Sequence, residues 1–135
     1  MKLTFEKRAP QAIRLTWGHG RYLDPWSFLH LLTGVLLGIL WLWFEVSLWE
    51  ALATTALLAV LYEGFEMWLE IIEDWQNSLL DVVVAVAGTW LAYFALSSAT
   101  PALQTWSFIG LGLLALVLLY SGWRYHHIHH PHHPH

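Results

Sequence analysis

The feature that most constrains this chain is a long stretch without a basic residue. Arg21 is followed by no lysine or arginine until Arg124, and the residues between them are rich in leucine, alanine, valine and tryptophan. Over the whole chain 57% of residues are hydrophobic and only 12% are charged, with a mean hydropathy of +0.48. A chain of 135 residues cannot bury so much apolar surface in one water-soluble core. We therefore expect an integral membrane protein with one domain.

The apolar stretch divides into segments that are long enough to span a bilayer, which takes about 20 residues in a helix. Asp24 and Pro25 are typical of a helix start. Ser47 and Glu50 have the spacing of a capping box, and Pro101 suits a first helical turn. The fold class is thus predicted to be all-α, an integral membrane bundle of four transmembrane helices. The predicted helices cover about residues 25–44, 48–72, 77–97 and 101–123.

The basic residues lie at the two ends of the chain and predict its orientation. Because lysine and arginine concentrate on the cytoplasmic side of membrane proteins, both termini are predicted to be cytoplasmic. Residues 1–23 lack the apolar run of a cleavable signal, and we expect this basic segment to lie in the membrane interface. Residues 24–123 form the transmembrane domain, and residues 124–135 form a histidine-rich tail.

Several classes of function are excluded by what the sequence lacks. There is no cysteine, which excludes disulfides, thiolate metal sites and cysteine nucleophiles. The formal charge of -4 and the absence of a basic surface give no reason to expect nucleic-acid binding. No nucleotide or phosphate-binding motif occurs, and Ser97 and Ser98 belong to the membrane side opposite His30, which argues against a serine hydrolase.

Acidic residues inside apolar segments indicate a polar interior. A carboxylate that faces lipid at the centre of a helix costs about 3 kcal/mol, whereas one that faces the bundle can be hydrogen-bonded, protonated or metal-bound. Three of the acids, Glu70, Glu73 and Asp74, are predicted to reach water at the interface. The others must point inward, and they are Glu63, Glu66 and Asp81.

These acids and one histidine are predicted to share a level of the bilayer. At 1.5 Å per residue, His30 lies about 8 Å from the cytoplasmic end of its helix, Glu66 about 9 Å and Asp81 about 6 Å. Glu63 lies one turn deeper than Glu66, and Asn77 shares a helix face with Asp81. The sequence therefore predicts a buried polar cluster of His30, Glu63, Glu66, Asn77 and Asp81.

Small residues continue the helix faces that carry the polar groups. Gly34 and Gly38 follow His30 at intervals of four residues, while Ala85 and Gly88 follow Asp81. Such stripes let transmembrane helices approach closely. We expect the first and third helices to pack along them.

A resemblance to a known family rests on three short runs. These are "DPWSFLHLLTG", "YEGFEMW" and the Asn77-x-x-x-Asp81-x6-Gly88 spacing. Over about residues 24–96 the chain resembles the YjdF-type, VanZ-like families of small bacterial inner-membrane proteins. The family pattern differs in having a tryptophan directly after the second glutamate and often an aspartate at position 77. The resemblance implies a multi-pass protein of the bacterial inner membrane; matching positions are His30, Gly34, Tyr62, Glu63, Glu66, Trp75, Asp81 and Gly88.

The predicted cluster has three readings. As a metal site, His30, Glu63, Glu66 and Asp81 form a ligand set that suits zinc, manganese or iron. As a proton relay, the imidazole and the carboxylates pass or store a proton. As structural glue, they only hydrogen-bond across helices and fix their register. The sequence leaves these open, together with the question of enzymatic activity.

The tail "HHIHHPHHPH" is a second candidate for metal binding. Imidazoles bind zinc, nickel and copper, and a flexible histidine tract needs no preformed site. The isoleucine and the prolines that interrupt it distinguish it from an engineered tag, and the prolines predict an extended tail. The candidate ligands here are His126, His127, His129 and His130.

A different class of function is that of an accessory subunit. The predicted fourth helix is almost devoid of polar residues, and the chain is small and rich in tryptophan. Its partners are the lipid bilayer and, in this reading, other membrane subunits of a respiratory or photosynthetic complex.

Overall fold

The structure is a computed structural model that describes Leu15, Trp17 and residues 23–68 and 75–129, with side chains as far as Tyr125. The described residues fold into four helices, which confirms the all-α prediction. The predicted extension of the second helix to about residue 72 lies outside the described residues, as does most of the N-terminal segment. The helices are α1 (Pro25–Trp43), α2 (Leu48–Trp68), α3 (Trp75–Leu96) and α4 (Pro101–His129).

The cap residues expected from the sequence are in place. The Asp24 carboxylate accepts hydrogen bonds from the backbone N–H groups of Trp26 at 2.9 Å and Ser27 at 3.1 Å. Ser47 and Glu50 form the predicted capping box of α2: the Glu50 carboxylate accepts from the Ser47 backbone N–H at 3.2 Å, and the Ser47 hydroxyl accepts from the Glu50 backbone N–H at 3.5 Å. Each cap satisfies donors that the first turn of a helix leaves over, and so each fixes where its helix begins.

The fourth helix is longer than predicted. It begins at Pro101 as expected, with the Thr100 hydroxyl accepting from the backbone N–H of Leu103 at 3.3 Å. It ends at His129 rather than near residue 123, so the first part of the tail is helical and the prediction of an extended tail is wrong there. The reason is that residues 123–130 contain no glycine or proline, so no helix-breaking residue occurs before Pro131.

All four helices are long and apolar enough to cross a bilayer. Large apolar side chains are exposed along them, including Leu57, Val83, Phe94 and Leu116. In water this surface would drive aggregation, whereas in a bilayer it contacts lipid. The chain is therefore a multi-pass membrane protein.

The third helix lies at the centre of the bundle. It packs against both α1 and α2, while α1 and α2 have few contacts with each other and α4 packs mainly on α1. The α1–α3 contact is very close, because a Cβ atom on Gly34 would collide with the backbone of Ala85 and one on Gly88 would collide with the Leu31 carbonyl. The predicted small-residue seam is thus present, and it sets the spacing of the groups that α1 and α3 carry.

The described part of the N-terminal segment is held against the bundle by aromatic rings. Trp17 packs edge-on against Trp26 with ring centroids 5.1 Å apart, and the Trp26 indole donates to the Trp17 carbonyl at 3.3 Å. Gly122 of α4 provides the space, since a Cβ there would lie 2.7 Å from the Trp17 ring. These contacts fasten α4 to the start of α1.

Candidate functional site

Three helices bring a histidine and two acids together in the interior. His30 lies five residues after the start of α1, Glu63 five residues before the last described residue of α2, and Asp81 six residues after the start of α3. Because α2 runs antiparallel to its neighbours, these positions fall at one level, about 8 Å from that end of the bundle. We call His30, Glu63 and Asp81 the acid–histidine cluster.

The cluster has the dimensions of a metal-ligand group. The Nε2 atom of His30 lies 3.8 Å from Oε1 of Glu63 and 3.9 Å from Oδ2 of Asp81. One ligand atom from each residue lies within 4.8 Å of the others. The two acids are buried, and the imidazole is 16% exposed. Three helices therefore contribute one donor atom each to a common point.

Neighbouring side chains orient the cluster. The Asn77 amide donates to Oδ2 of Asp81 at 3.1 Å, one helical turn away along α3, and both residues are buried. The Tyr62 ring meets the His30 ring edge-on, with centroids 5.6 Å apart. Because the amide bonds the same oxygen that faces His30, Asn77 fixes the direction in which that carboxylate points.

The other predicted site residues fall outside this group. Glu66 is only partly buried and is not among the residues whose ligand atoms converge, so α2 contributes Glu63, one turn deeper. The predicted interfacial acids at positions 70, 73 and 74 lie outside the described residues. In the tail, His126, His127 and His129 belong to the last turns of α4, but their side chains are not described, and neither is any part of His130.

A second polar group lies deeper in the same interface and was missed by sequence reasoning. Thr55 of α2 and Thr89 of α3 lie 3.0 Å apart between their hydroxyl oxygens, and neither residue is exposed. The Trp41 indole donates to the Thr55 hydroxyl at 3.2 Å, and the Thr89 hydroxyl donates to the Gly34 carbonyl at 2.9 Å. We call Trp41, Thr55, Thr89 and the Gly34 carbonyl the threonine layer.

The hydrogen bonds of the threonine layer have a fixed direction. A threonine hydroxyl has one proton, and that of Thr89 is donated to the Gly34 carbonyl. Thr55 must therefore donate to Thr89 and accept from Trp41. A signal for this layer is present in the sequence: Thr55 precedes Glu63 by eight residues, and Thr89 follows Asp81 by eight, which places each on the same helix face as the acid.

The chemistry open to the cluster follows from its charges. Two carboxylates and one imidazole can hold a cation or exchange a proton, and between residues 22 and 123 the sequence supplies no lysine or arginine to neutralise the acids. An isolated carboxylate pair at this depth would be costly, so compensation must come from a proton, a cation or a group from another part of the chain.

Comparison of the chain with protein-family models, with curated proteins and with solved structures finds no match.

Proposed function

We propose that this protein binds a divalent metal ion, zinc, manganese or iron, inside the membrane through His30, Glu63 and Asp81. The observation that carries the proposal is the convergence of three donor atoms from three helices within 4.8 Å of one another. In this proposal the site lies near the cytoplasmic surface of a bacterial inner membrane, which the resemblance to VanZ-like inner-membrane proteins and the basic ends of the chain support.

The distances favour a cation over a direct proton relay. Hydrogen bonds between nitrogen and oxygen measure about 2.7–3.2 Å, and both contacts of the His30 Nε2 atom are longer, at 3.8 and 3.9 Å. Ligand atoms bound about 2.1 Å from a tetrahedral zinc ion lie about 3.4 Å apart. Small side-chain rotations bring the three atoms to that spacing, and one N–H could not bond both carboxylates equally.

The chemistry of the donor atoms is compatible with a divalent ion. With both carboxylates ionised and the imidazole neutral, the charge of these three groups equals in size that of one divalent cation. The donor set of one nitrogen and two oxygens suits zinc, manganese or iron better than copper(I), which prefers thiolate and thioether ligands. Three protein ligands also leave a coordination position for water or a substrate.

Metal binding to the purified protein tests the proposal, provided that the tail is silenced. We define the tail-glutamine variant as the full chain in which seven histidines are replaced by glutamine: His126, His127, His129, His130, His132, His133 and His135. In detergent this variant should bind one zinc or manganese ion per chain, measured by elemental analysis after gel filtration and by calorimetric titration. Binding should weaken as the pH is lowered, because protons compete for the imidazole.

Two neighbouring glutamates of α2 provide a matched control. Glu63→Gln removes a cluster ligand and should abolish binding, whereas Glu66→Gln makes the same chemical change one turn away and should leave binding within about threefold of the tail-glutamine variant. Equal loss in both variants, or no bound metal in the tail-glutamine variant at neutral pH, would overturn the proposal.

An accessory role is a second candidate, and it is favoured by α4. Only 6% of the apolar span of α4 is buried within the protein, against 22% to 28% for the other helices. The exposed face carries Leu113, Leu116 and Val117, with Trp106 and Trp123 towards its ends. A helix fastened so lightly to its own bundle could pack against another membrane subunit, such as one of a respiratory or photosynthetic complex.

Gentle extraction tests the accessory role. After solubilisation in a mild detergent, an accessory subunit should migrate in a larger complex at fixed stoichiometry, and Val117→Arg on the exposed face should release it while the chain stays folded. Migration of the unaltered protein as a free monomer would contradict this second candidate and would leave the metal site unaffected.

A further inference from the structure

The acid–histidine cluster lies close to one end of the bundle, about 8 Å from the end at which α1 begins. There the His30 side chain is 16% exposed and Glu66 is partly buried, while Ser27 and Asn77 are buried. Deeper in the same interface Ile39, Ala51, Thr55 and Thr89 are 0% exposed. The interface is therefore tightly packed on the deep side of the cluster.

Close backbone packing closes the α1–α3 interface immediately beyond the cluster. Gly34 lies one turn beyond His30, and Ala85 lies one turn beyond Asp81; the two backbones are so close that no Cβ fits on Gly34. Gly88 lies equally close to the Leu31 carbonyl and within 2.9 Å of the Val35 nitrogen, measured from the position its Cβ would occupy. An ion with any part of its hydration shell is wider than these contacts allow.

The threonine layer closes the interface between α2 and α3. It lies about 12 Å deeper than the cluster, since Thr55 and Thr89 are each eight residues from an acid of the cluster. Both threonine protons are committed, and the hydrogen-bond chain ends at the Gly34 carbonyl, which can accept a proton but cannot pass one on. Among the described residues of this layer, no hydroxyl proton is left to extend the hydrogen-bond chain, and both threonines are fully buried.

We propose that the metal site exchanges its ion with one side of the membrane only, the side at which α1 begins, and that the protein does not carry the ion across. This inference rests on the proposed function for the identity of the ligand and on the packing for the direction of access. The site then serves ions and substrates from a single compartment, as a membrane-embedded binding or catalytic centre does. It differs in this from a transporter, whose site must open to both sides.

A chelator that cannot cross membranes tests the direction of access. The tail-glutamine variant, loaded with zinc in detergent, is reconstituted into vesicles and treated with external EDTA. The orientation of each molecule is measured with Ser98→Cys, an exposed position between α3 and α4, labelled by an impermeant maleimide; the chain has no other cysteine. We expect EDTA to remove all zinc from molecules whose N-terminal side faces outward and none from the rest. The fraction of zinc that is retained should therefore equal the fraction of molecules that the external maleimide labels.

The outcomes separate the two proposals. Loss of zinc from every molecule regardless of orientation, or uptake of external zinc into the lumen, would overturn one-sided access while leaving metal binding intact. Failure to load zinc in detergent would overturn the proposed function instead.

A second measurement decides the direction of access without any metal. Glu66→Cys, one turn from the cluster towards the end at which α1 begins, should react with a water-soluble, membrane-impermeant thiol reagent from the N-terminal side only. Thr55→Cys, in the threonine layer, should react from neither side. Reaction of the Thr55→Cys variant from either side, or reaction of the Glu66→Cys variant from both sides or from none, would overturn the inference.

Discussion

The acid–histidine cluster and the threonine layer are built by the same three helices, yet they differ in the distances between their polar atoms, in hydrogen bonding and in exposure. In the threonine layer the donor–acceptor distances are 2.9–3.2 Å, every hydroxyl proton is used and the two threonines are inaccessible. In the cluster the histidine–carboxylate distances are 3.8 and 3.9 Å, the groups are titratable and the imidazole reaches the surface. The hydroxyls complete their own hydrogen bonds, whereas the imidazole and the two carboxylates lie too far apart to hydrogen-bond directly to one another.

This difference shows that two kinds of polar group are buried in the bundle, hydrogen-bonded hydroxyls and ionisable side chains. A satisfied threonine pair adds register and modest stability to helices that lipid holds together only weakly. A histidine and two carboxylates cost stability in the interior unless they are compensated, and the proposed metal ion would supply such compensation. Substitutions in the threonine layer should therefore lower stability and leave metal binding nearly unchanged. Substitutions of the cluster's acids should remove metal binding and change stability little.

Gly34→Ala should have the largest effect, because it disrupts both layers at once. The new methyl group would lie within the Ala85 backbone, which cannot rotate away, so α1 and α3 must separate. We expect the free energy of unfolding to fall by about 3 kcal/mol and metal binding to be lost. Thermal unfolding followed by near-UV circular dichroism checks this.

Gly110→Ala is the matched control for that substitution. Gly110 lies in α4 with nothing within 4 Å of its would-be Cβ, and alanine there should be neutral or stabilise the helix by about 0.5–1 kcal/mol. If both glycine variants unfold at the same temperature as the unaltered chain, close α1–α3 packing does not hold the two layers in place.

Asp81→Asn should abolish metal binding and leave the fold intact. The amide keeps the shape of the side chain and removes a buried charge, so we expect metal affinity to fall by about 100-fold or more while the free energy of unfolding changes by less than about 1 kcal/mol. Calorimetric titration and thermal unfolding of the metal-free protein measure the two quantities. The exposed acid Glu45 supplies a control, since Glu45→Gln should change neither; a large loss of stability in Asp81→Asn would make Asp81 structural.

Asn77→Ala should weaken metal binding without removing a ligand. It deletes the hydrogen bond that orients Oδ2 of Asp81, and loss of such a supporting contact costs about 10- to 100-fold in affinity. Ser78→Ala, the adjacent position on α3, is expected to bind as the unaltered chain does. Equal affinities in the two variants would show that Asp81 needs no orientation by the amide.

Thr89→Val should have the smallest effect, and it should fall on stability alone. The substitution deletes one hydrogen bond to Thr55 and one to the Gly34 carbonyl, each worth about 0.6 kcal/mol in a membrane protein, so the free energy of unfolding should drop by about 1 kcal/mol. Metal affinity should stay within about threefold. Thr105→Val serves as the comparison, because the Thr105 hydroxyl bonds only within α4. Loss of metal binding in Thr89→Val would join the two layers into one functional unit.

The sequence predicts the fold well because the membrane imposes it. Helix starts at Asp24, Ser47 and Thr100 follow from cap chemistry that acts within four residues, and the inward direction of Glu63 and Asp81 follows from the cost of charge in lipid. The small-residue faces of α1 and α3 likewise predict which helices pack most closely.

Details of the site depend on distances between helices, which no local pattern supplies. Glu63 and Glu66 share a face, and only the tilt and rotation of α2 against α3 decide that Glu63 meets His30. The threonine layer was overlooked for a related reason: a threonine in an apolar helix is cheap, and its role becomes visible only when Thr55 and Thr89 are seen to face each other.

X-ray absorption at the zinc edge of the zinc-loaded tail-glutamine variant tests the central claim most directly. With the tail silenced, His19 and His30 are the only histidines that remain in the chain. We predict a single imidazole and otherwise oxygen ligands around the zinc, and loss of that bound zinc in Glu63→Gln and in Asp81→Asn. A spectrum without an imidazole, or one that either of these substitutions leaves unchanged, would contradict the claim that three helices hold one metal ion between them.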